Sequence, residues 1–131
     1  MGGIKVILDA MKRHESNAFL QKQGCGALLR LGLDLGNRKA IAKMGGIKVI
    51  LDAMKRHEAN DQVQFQGCGA LGNLAANVDS GEKILKMGGI KVILDMMKRH
   101  QWNANIQQVC GITLRKIAFL GPCRHHHCVR Q

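Results

Sequence analysis

The chain carries apolar residues at helical spacing close to its start. The first four fall at i, i+3, i+4 and i+7, which puts them on one stripe of a helix: Ile4, Ile7, Leu8 and Met11. Lys5 and Asp9 lie on another face, four residues apart, where opposite charges attract each other. This pattern predicts an amphipathic helix, and the basic residues at its end suit the negative C-terminal dipole.

The same stretch of sequence returns twice. The segment MGGIKVILDAMKRH begins at Met1, Met44 and Met87, and the third copy differs only at Met96, where the other two have alanine. Successive copies are 43 residues apart. A fixed period of this length indicates a solenoid built from one repeated structural unit.

A longer apolar helix is predicted after each copy. Asn17, Asn60 and Asn103 lie where that helix needs an N-cap. Its interior glycines cost about 1 kcal/mol each relative to alanine, so we expect a neighbouring helix or a ligand to approach them closely. A short third helix is predicted over Asn37–Lys43 and again over Gly81–Lys86. Each complete unit therefore has a short, a middle and a long helix.

These elements predict an all-α solenoid of about three repeats, the first of which lacks its short helix. The repeat domain is expected to span residues 1–121, with units at 1–43, 44–86 and 87–121. Residues 122–131 follow the point where the repeated text stops and are predicted to be a disordered tail. The near-identity of the units favours a recent duplication or deliberate construction.

The long helix of the second unit carries a recognisable motif. Residues 63–75 read Val-Gln-x-Gln-x-x-x-Ala-Leu-x-Asn-Leu-Ala, and each middle helix starts with Gly-Gly-Ile. With three such units in register, the chain resembles the armadillo repeat family over residues 1 to roughly 120. The resemblance implies a right-handed superhelix whose long helices line a concave groove. The family typically holds an extended peptide in that groove.

The resemblance also implies where groove residues lie. In the family, a ladder of asparagines usually clamps the peptide backbone, and tryptophans stand one helical turn earlier. The asparagine position here holds Arg30, Asn73 and Lys116, and the tryptophan position holds Gly26, Gly69 and Ile112. The candidate groove residues are Gln23, Arg30, Gln66, Gly69, Asn73, Ile112 and Lys116. Arg30 and Lys116 favour an acidic protein segment; a solvated helix face without a dedicated ligand is the alternative.

Basic residues outnumber acidic ones, 20 to 9, and the net charge of +11 favours anionic partners. Stacking would align the basic ends of the middle helices along one basic edge, formed by Lys12, Arg13, Lys55, Arg56, Lys98 and Arg99. Nucleic acid or an anionic membrane could bind this edge by counterion release. Aromatic residues make up only 3% of the chain and do not interleave with the charges, so protein binding is the favoured hypothesis.

Neither end of the solenoid carries a polar-faced cap in the sequence. We expect exposed apolar residues at the first unit, namely Ile4, Ile7 and Met11, and at the last, namely Ile112, Leu114, Ile117, Phe119 and Leu120. Exposed apolar area marks an interaction surface. The sequence therefore predicts a homo-oligomer, and a structural, self-assembling repeat protein is an alternative to peptide binding.

No catalytic constellation emerges, because the acidic residues of the middle helices are repeat-equivalent and have basic partners at helical spacing. We therefore expect a protein without enzymatic activity or cofactor. Cys123, His125, His127 and Cys128 are weak candidates for a zinc site, since their spacing matches none of the usual ligand patterns.

The cysteines and the lack of a signal sequence bear on the compartment. Cys25 and Cys68 stand at equivalent positions on apolar helix patterns, where cysteine behaves as a small buried hydrophobe. No secretory signal and no run of about 18 apolar residues is present. We expect an intracellular protein, cytoplasmic or nuclear.

Overall fold

The computed structural model describes the backbone of residues 2–126 and the side chains of residues 2–118. Within residues 2–126 the chain forms eight α-helices and no strand. They are α1 (Gly2–Arg13), α2 (Ala18–Leu31), α3 (Leu35–Lys43), α4 (Gly46–Arg56), α5 (Asp61–Leu74), α6 (Val78–Lys86), α7 (Gly89–Arg99) and α8 (Ala104–His126). The predicted all-α class is confirmed.

The eight helices repeat in threes. Helices α1, α4 and α7 are the middle helices, α2, α5 and α8 the long helices, and α3 and α6 the short ones. Within the described chain, no short helix precedes α1, whereas α3 and α6 precede α4 and α7. The division at residues 43, 86 and 121 and the disordered segment 122–131 stay predictions.

The asparagine N-caps are confirmed. The Oδ1 atom of Asn17 accepts a hydrogen bond of 3.0 Å from the backbone N–H of Leu20. Asn60 and Asn103 do the same, also at 3.0 Å, for the N–H groups three residues on. Each cap satisfies a donor that the first turn of a long helix leaves without a helical partner.

The short helices begin earlier than predicted. Helix α3 starts at Leu35 because the carboxylate of Asp34 accepts from the N–H of Asn37 at 3.0 Å and caps the first turn. Helix α6 starts at Val78, and the carbonyl of Asn77 accepts from the N–H of Gly81. The sequence-based starts at Asn37 and Gly81 are therefore wrong by two and three residues, because each helix begins directly after a polar residue, Asp34 or Asn77.

Glycine is needed at the entrance to two middle helices. Gly45 and Gly88 precede α4 and α7 and have φ angles of 85° and 79°. This left-handed region is costly for residues with a Cβ atom. The two residues therefore turn the chain sharply from each short helix into the next middle helix.

The core lies between the middle and long helices of each unit. In the first unit, Met11 packs against Gly24, where an added Cβ would lie 2.5 Å from the methionine sulfur. In the second unit Met54 packs against Gly67 in the same register. The missing side chains let the long helices approach the middle helices closely, so a neighbouring helix and not a ligand accounts for these two glycines.

The predicted exposure of the end residues is wrong in several places. Ile4, Met11 and Ile117 are buried, and Ile7 and Leu114 are partly buried. Met11, for example, packs against Gly24 on the long helix of its own unit. Ile112 is exposed as expected, and the side chains of Phe119 and Leu120 lie outside the described residues.

Candidate functional site

The long helices α2, α5 and α8 lie side by side, and α5 packs against both of the others. They carry all seven candidate groove residues. On the outer helices, Gln23, Arg30, Ile112 and Lys116 are exposed. On the central helix, Gln66, Gly69 and Asn73 are half-buried. The sequence-predicted positions therefore form one row of three helices, in which α5 is the most enclosed.

Two of these helices meet through polar side chains at Gly26. A Cβ atom on Gly26 would lie 3.4 Å from Oε1 of Gln66 and 3.6 Å from a guanidinium nitrogen of Arg30. Gly26 therefore leaves space for the carboxamide of Gln66, on α5, to lie over α2 beside Arg30. The structure thus brings together Gln66 and Arg30, which belong to different repeats.

Gly69 and Gly72 are explained by helix packing. A Cβ atom on Gly69 would lie 2.5 Å from Cδ1 of Leu29, and one on Gly72 would lie 2.7 Å from Oγ1 of Thr113. The Thr113 hydroxyl also donates to the carbonyl of Cys68 at 3.0 Å. Side chains from both neighbouring helices therefore occupy the space that glycine leaves on α5.

Asn73 makes a contact that its position in the sequence did not reveal. Its Nδ2 atom donates a hydrogen bond of 2.7 Å to the backbone carbonyl of Leu29 in the preceding repeat. The bond uses one amide hydrogen and fixes the side-chain orientation. Oδ1 and the second amide hydrogen take no part in it.

Sequence reasoning missed a glutamine at one equivalent position in each unit, which is buried at Gln21 and Gln64 and partly buried at Gln107. Nε2 of Gln64 donates to the carbonyls of Met54 and His57, at 3.0 and 2.9 Å. Gln21 and Gln107 make the equivalent pairs of bonds in the other units. A polar residue at one fixed place on an apolar helix, repeated every 43 residues, was the available signal. These side chains join each long helix to the C-terminal end of its middle helix, where carbonyls lack helical partners.

Arg38 is a second structural residue that was missed. Its Nη1 atom donates to the carbonyls of Gly32 and Leu33, at 3.0 and 3.3 Å, just beyond the end of α2. Its Nε atom donates to Oδ1 of Asn77, at 2.8 Å. The guanidinium therefore links the loop that follows α2 to the loop that follows α5.

All six cations of the predicted basic edge are exposed. Carboxylates from the preceding repeat lie among them: Arg56 is 3.5 Å from Glu15, and Arg99 is 3.8 Å from Glu58. Lys55 is 3.9 Å from Asp52 on its own helix. The basic edge therefore alternates in charge along part of its length, which weakens its attraction for a polyanion.

The predicted ion pairs along the middle helices are present. Lys5 and Asp9 are 2.7 Å apart, Lys48 and Asp52 are 2.7 Å apart, and the third unit repeats the pair at 3.0 Å. The hydrogen bond from Lys5 lowers the pKa of Asp9, and the bond to Asp52 raises the pKa of Lys48. Both members of each pair are largely exposed, so each contributes little to stability.

Three cysteines lie in the described core as free thiols, Cys25, Cys68 and Cys110. Burial raises the pKa of Cys25 to about 12. A hydrogen bond with Cys110, together with burial, raises the pKa of Cys68. The thiols of Cys25 and Cys68 therefore stay protonated at neutral pH, whereas the hydrogen bond with Cys68 lowers the pKa of Cys110. All three side chains are buried and serve as packing residues.

The described part of the chain has no group of three or more His, Cys, Asp or Glu residues placed to hold a metal ion. The weak zinc candidates Cys123, His125, His127 and Cys128 have side chains outside the described residues. Among the described residues, no helix has both the length and the apolar character that crossing a membrane requires.

Helices repeated in register, with a continuous core between them, define an all-α solenoid repeat protein. Residues 3–121 match the family model described as LRRK2 ARM repeat, and the chain belongs to the armadillo repeat family. No curated protein and no solved structure matches the chain significantly. Repeats of this family typically mediate protein interactions and are generally non-catalytic.

Proposed function

We propose that the chain is a non-enzymatic protein-interaction module that binds an extended, acidic protein segment across α2, α5 and α8. The supporting observation is the placement of Arg30 and Lys116. Both are exposed on the outer long helices, at positions equivalent to Asn73 between them. Within residues 2–118 neither takes part in an ion pair. Two unpaired cations on either side of an oriented amide suit a segment with carboxylates and an accessible backbone.

The dimensions of the row set the length of the segment. Packed helices lie about 10 Å apart, so three long helices span about 20 Å between outer axes. An extended chain covers about 3.3 to 3.6 Å per residue, so about six residues reach from Arg30 to Lys116. We expect Oδ1 and the second amide hydrogen of Asn73, together with the amide of Gln66, to bind the peptide backbone between these two cations.

The other hypotheses are less well supported. Polyanion binding along the basic edge is weakened by Glu15 and Glu58, which lie next to Arg56 and Arg99.

Within the described core, three buried free thiols suit a reducing compartment, and we propose an intracellular setting.

The groove is tested by fluorescence anisotropy with labelled extended peptides, one rich in Glu and one rich in Lys. The wild type is expected to prefer the acidic peptide. The double substitution Arg30→Glu and Lys116→Glu is expected to weaken that binding tenfold or more, because both charge-assisted contacts become repulsive.

The matched control carries Lys39→Glu and Lys43→Glu. These residues are exposed on α3 and change the net charge by the same amount. The control should retain most of the affinity for the acidic peptide. Equal weakening by both double variants would mean that only overall charge attracts the peptide, and the groove assignment would be abandoned.

A further inference from the structure

Identical residues differ in exposure between the first unit and the others. Val6 is 67% exposed, whereas its repeat equivalents Val49 and Val92 are 8% and 7% exposed. The amino-acid sequence around this valine is the same in α1 and α4. The difference therefore comes from the neighbouring repeat: a preceding middle helix covers Val49 and Val92, and nothing in the described chain covers Val6.

On the opposite face of the middle helices, the exposed residue belongs to the last unit and not to the first. Leu8 and Leu51 are 2% and 3% exposed, whereas the equivalent Leu94 is 50% exposed. A following repeat is present beside α1 and α4, whereas none follows α7 and α8 in the described chain, and this accounts for the difference. The chain therefore presents one half of its own inter-repeat contact at Val6 and the other half at Leu94.

Polar contacts also cross each inter-repeat boundary. Nε2 of His57 lies 2.7 Å from the carbonyl oxygen of Glu15, and His100 makes the same contact with Glu58. The equivalent residues at the two open faces are His14 and Gln101. A backbone carbonyl accepts a hydrogen bond whatever its side chain, so His14 and Gln101 can repeat this contact.

We infer that the occupant of both faces is a second copy of this chain, docked head to tail with α1 of one copy against α7 of the next. In this arrangement Val6 of one copy packs against Leu94 of the other, as the equivalent faces of α4 and α1 do within the chain. The argument is continuity with an established interface: two near-identical contacts already occur inside the molecule. A head-to-tail contact of this kind does not close on itself, so it produces linear chains.

Two substitutions make this contact weaker than the internal ones. Gln101 stands where the other units have Glu15 and Glu58, so Arg13 finds no carboxylate there. On the long helices, Arg115 is the repeat equivalent of Gly72. Gly72 leaves space for the side chain of Thr113, whereas Arg115 leaves no such space on α8. Stacking brings Arg115 near Arg30 of the next copy, and the two like charges repel. Reversible, concentration-dependent association follows.

The test uses the full chain and two single variants, Val6→Lys and Leu94→Lys, each of which places a charge on one open face. Sedimentation velocity is measured over a wide concentration range for each protein and for an equimolar mixture. The wild type is expected to gain mass with concentration, and each variant alone to remain monomeric. The mixture is expected to form one-to-one heterodimers, because one variant keeps the Leu94 face and the other keeps the Val6 face.

The matched control is Leu35→Lys, which changes a leucine that is exposed on α3, away from both faces. It should associate like the wild type. Circular dichroism verifies that each variant is folded. Gln101→Glu supplies the missing partner of Arg13 and is expected to strengthen association about two- to fivefold.

Several results would overturn the inference. A wild type that stays monomeric at every concentration excludes the contact. Dimerisation of Leu94→Lys alone indicates a symmetric pairing of Val6 faces. A mixture of the two variants without heterodimers excludes head-to-tail docking. None of these results concerns the peptide groove, which is tested separately by its own variants.

Discussion

The side-chain amide of Asn73 donates a 2.7 Å hydrogen bond to the backbone carbonyl of Leu29. Leu29 lies in the last turn of α2. There the N–H of Leu33 donates to the carbonyl of Arg30, three residues back, and not to the carbonyl of Leu29, as an α-helical bond would. The carbonyl of Leu29 is therefore left for a side chain, and the next repeat supplies it. Asn73 therefore holds two repeats together, and the same bond fixes the orientation of its amide.

Asn73→Ala is expected to lower the free energy of unfolding by about 1 kcal/mol, because one inter-repeat hydrogen bond is lost. Urea denaturation followed by circular dichroism measures this loss. Gln62→Ala on the exposed face of the same helix is the control and should be nearly neutral. If the two variants are equally stable, the bond to Leu29 contributes nothing in solution.

The buried amide of Gln64 gives a sharper test. It donates to two carbonyls, and within the described residues its own Oε1 has no hydrogen-bond partner. Gln64→Glu replaces the donating group with a carboxylate that faces two carbonyl oxygens, which should cost several kcal/mol at neutral pH. Gln62→Glu, which is exposed in the first turn of α5, is the matched control and should be neutral or slightly stabilising.

The sign of the pH dependence follows from protonation. Burial raises the pKa of the new carboxyl group above its value in the unfolded chain, so the folded state binds the proton more tightly. The variant should therefore become more stable relative to wild type as the pH falls from 7 toward 5. A difference in unfolding temperature that does not change over this range contradicts the buried contact.

The helical period predicted the elements but not which of two stripes faces which neighbour. Ile4 and Met11 lie on the strongest apolar stripe and were expected at an open end, yet both are buried, and Met11 packs on the long helix of its own unit. Val6 lies beside that stripe and Leu94 lies on it, at the position equivalent to Leu8, yet both are exposed in the described chain. A repeat pattern in one chain cannot separate these roles, because in the middle unit both faces are buried.

The candidate site shows a similar limit. Alignment of the repeats placed Arg30, Asn73 and Lys116 at equivalent positions, and the structure places them on three neighbouring helices. The direction of the Asn73 amide could not be predicted, because it depends on the irregular end of α2. The repeated glutamines carry a periodic signal, but their partners are backbone carbonyls, which no side-chain motif marks.

The buried thiol of Cys25 should be unreactive in the folded protein. Its pKa is raised to about 12 by burial, so iodoacetamide at pH 8 meets the protonated form in a closed core. Mass spectrometry of the peptide that contains Cys25 should show modification in urea and little under native conditions. Because the folded state keeps this proton to higher pH than the unfolded chain, its contribution to stability is complete below the ordinary thiol pKa and is lost as the pH rises toward 12. Equal labelling with and without urea would contradict the burial.

The two faces of the middle helices can be compared with one substitution at repeat-equivalent positions. Leu51→Ala removes a side chain that the following repeat covers, and it is expected to cost about 2 to 5 kcal/mol. Leu94→Ala removes the equivalent side chain from an open face, so the monomer should lose about 1 kcal/mol or less. Urea denaturation at low protein concentration measures both without interference from association. At high concentration Leu94→Ala should also associate more weakly than wild type, whereas Leu35→Ala should not. If the two leucine substitutions destabilise the protein equally at low concentration, Leu51 is buried by the unit that contains it and not by the following repeat.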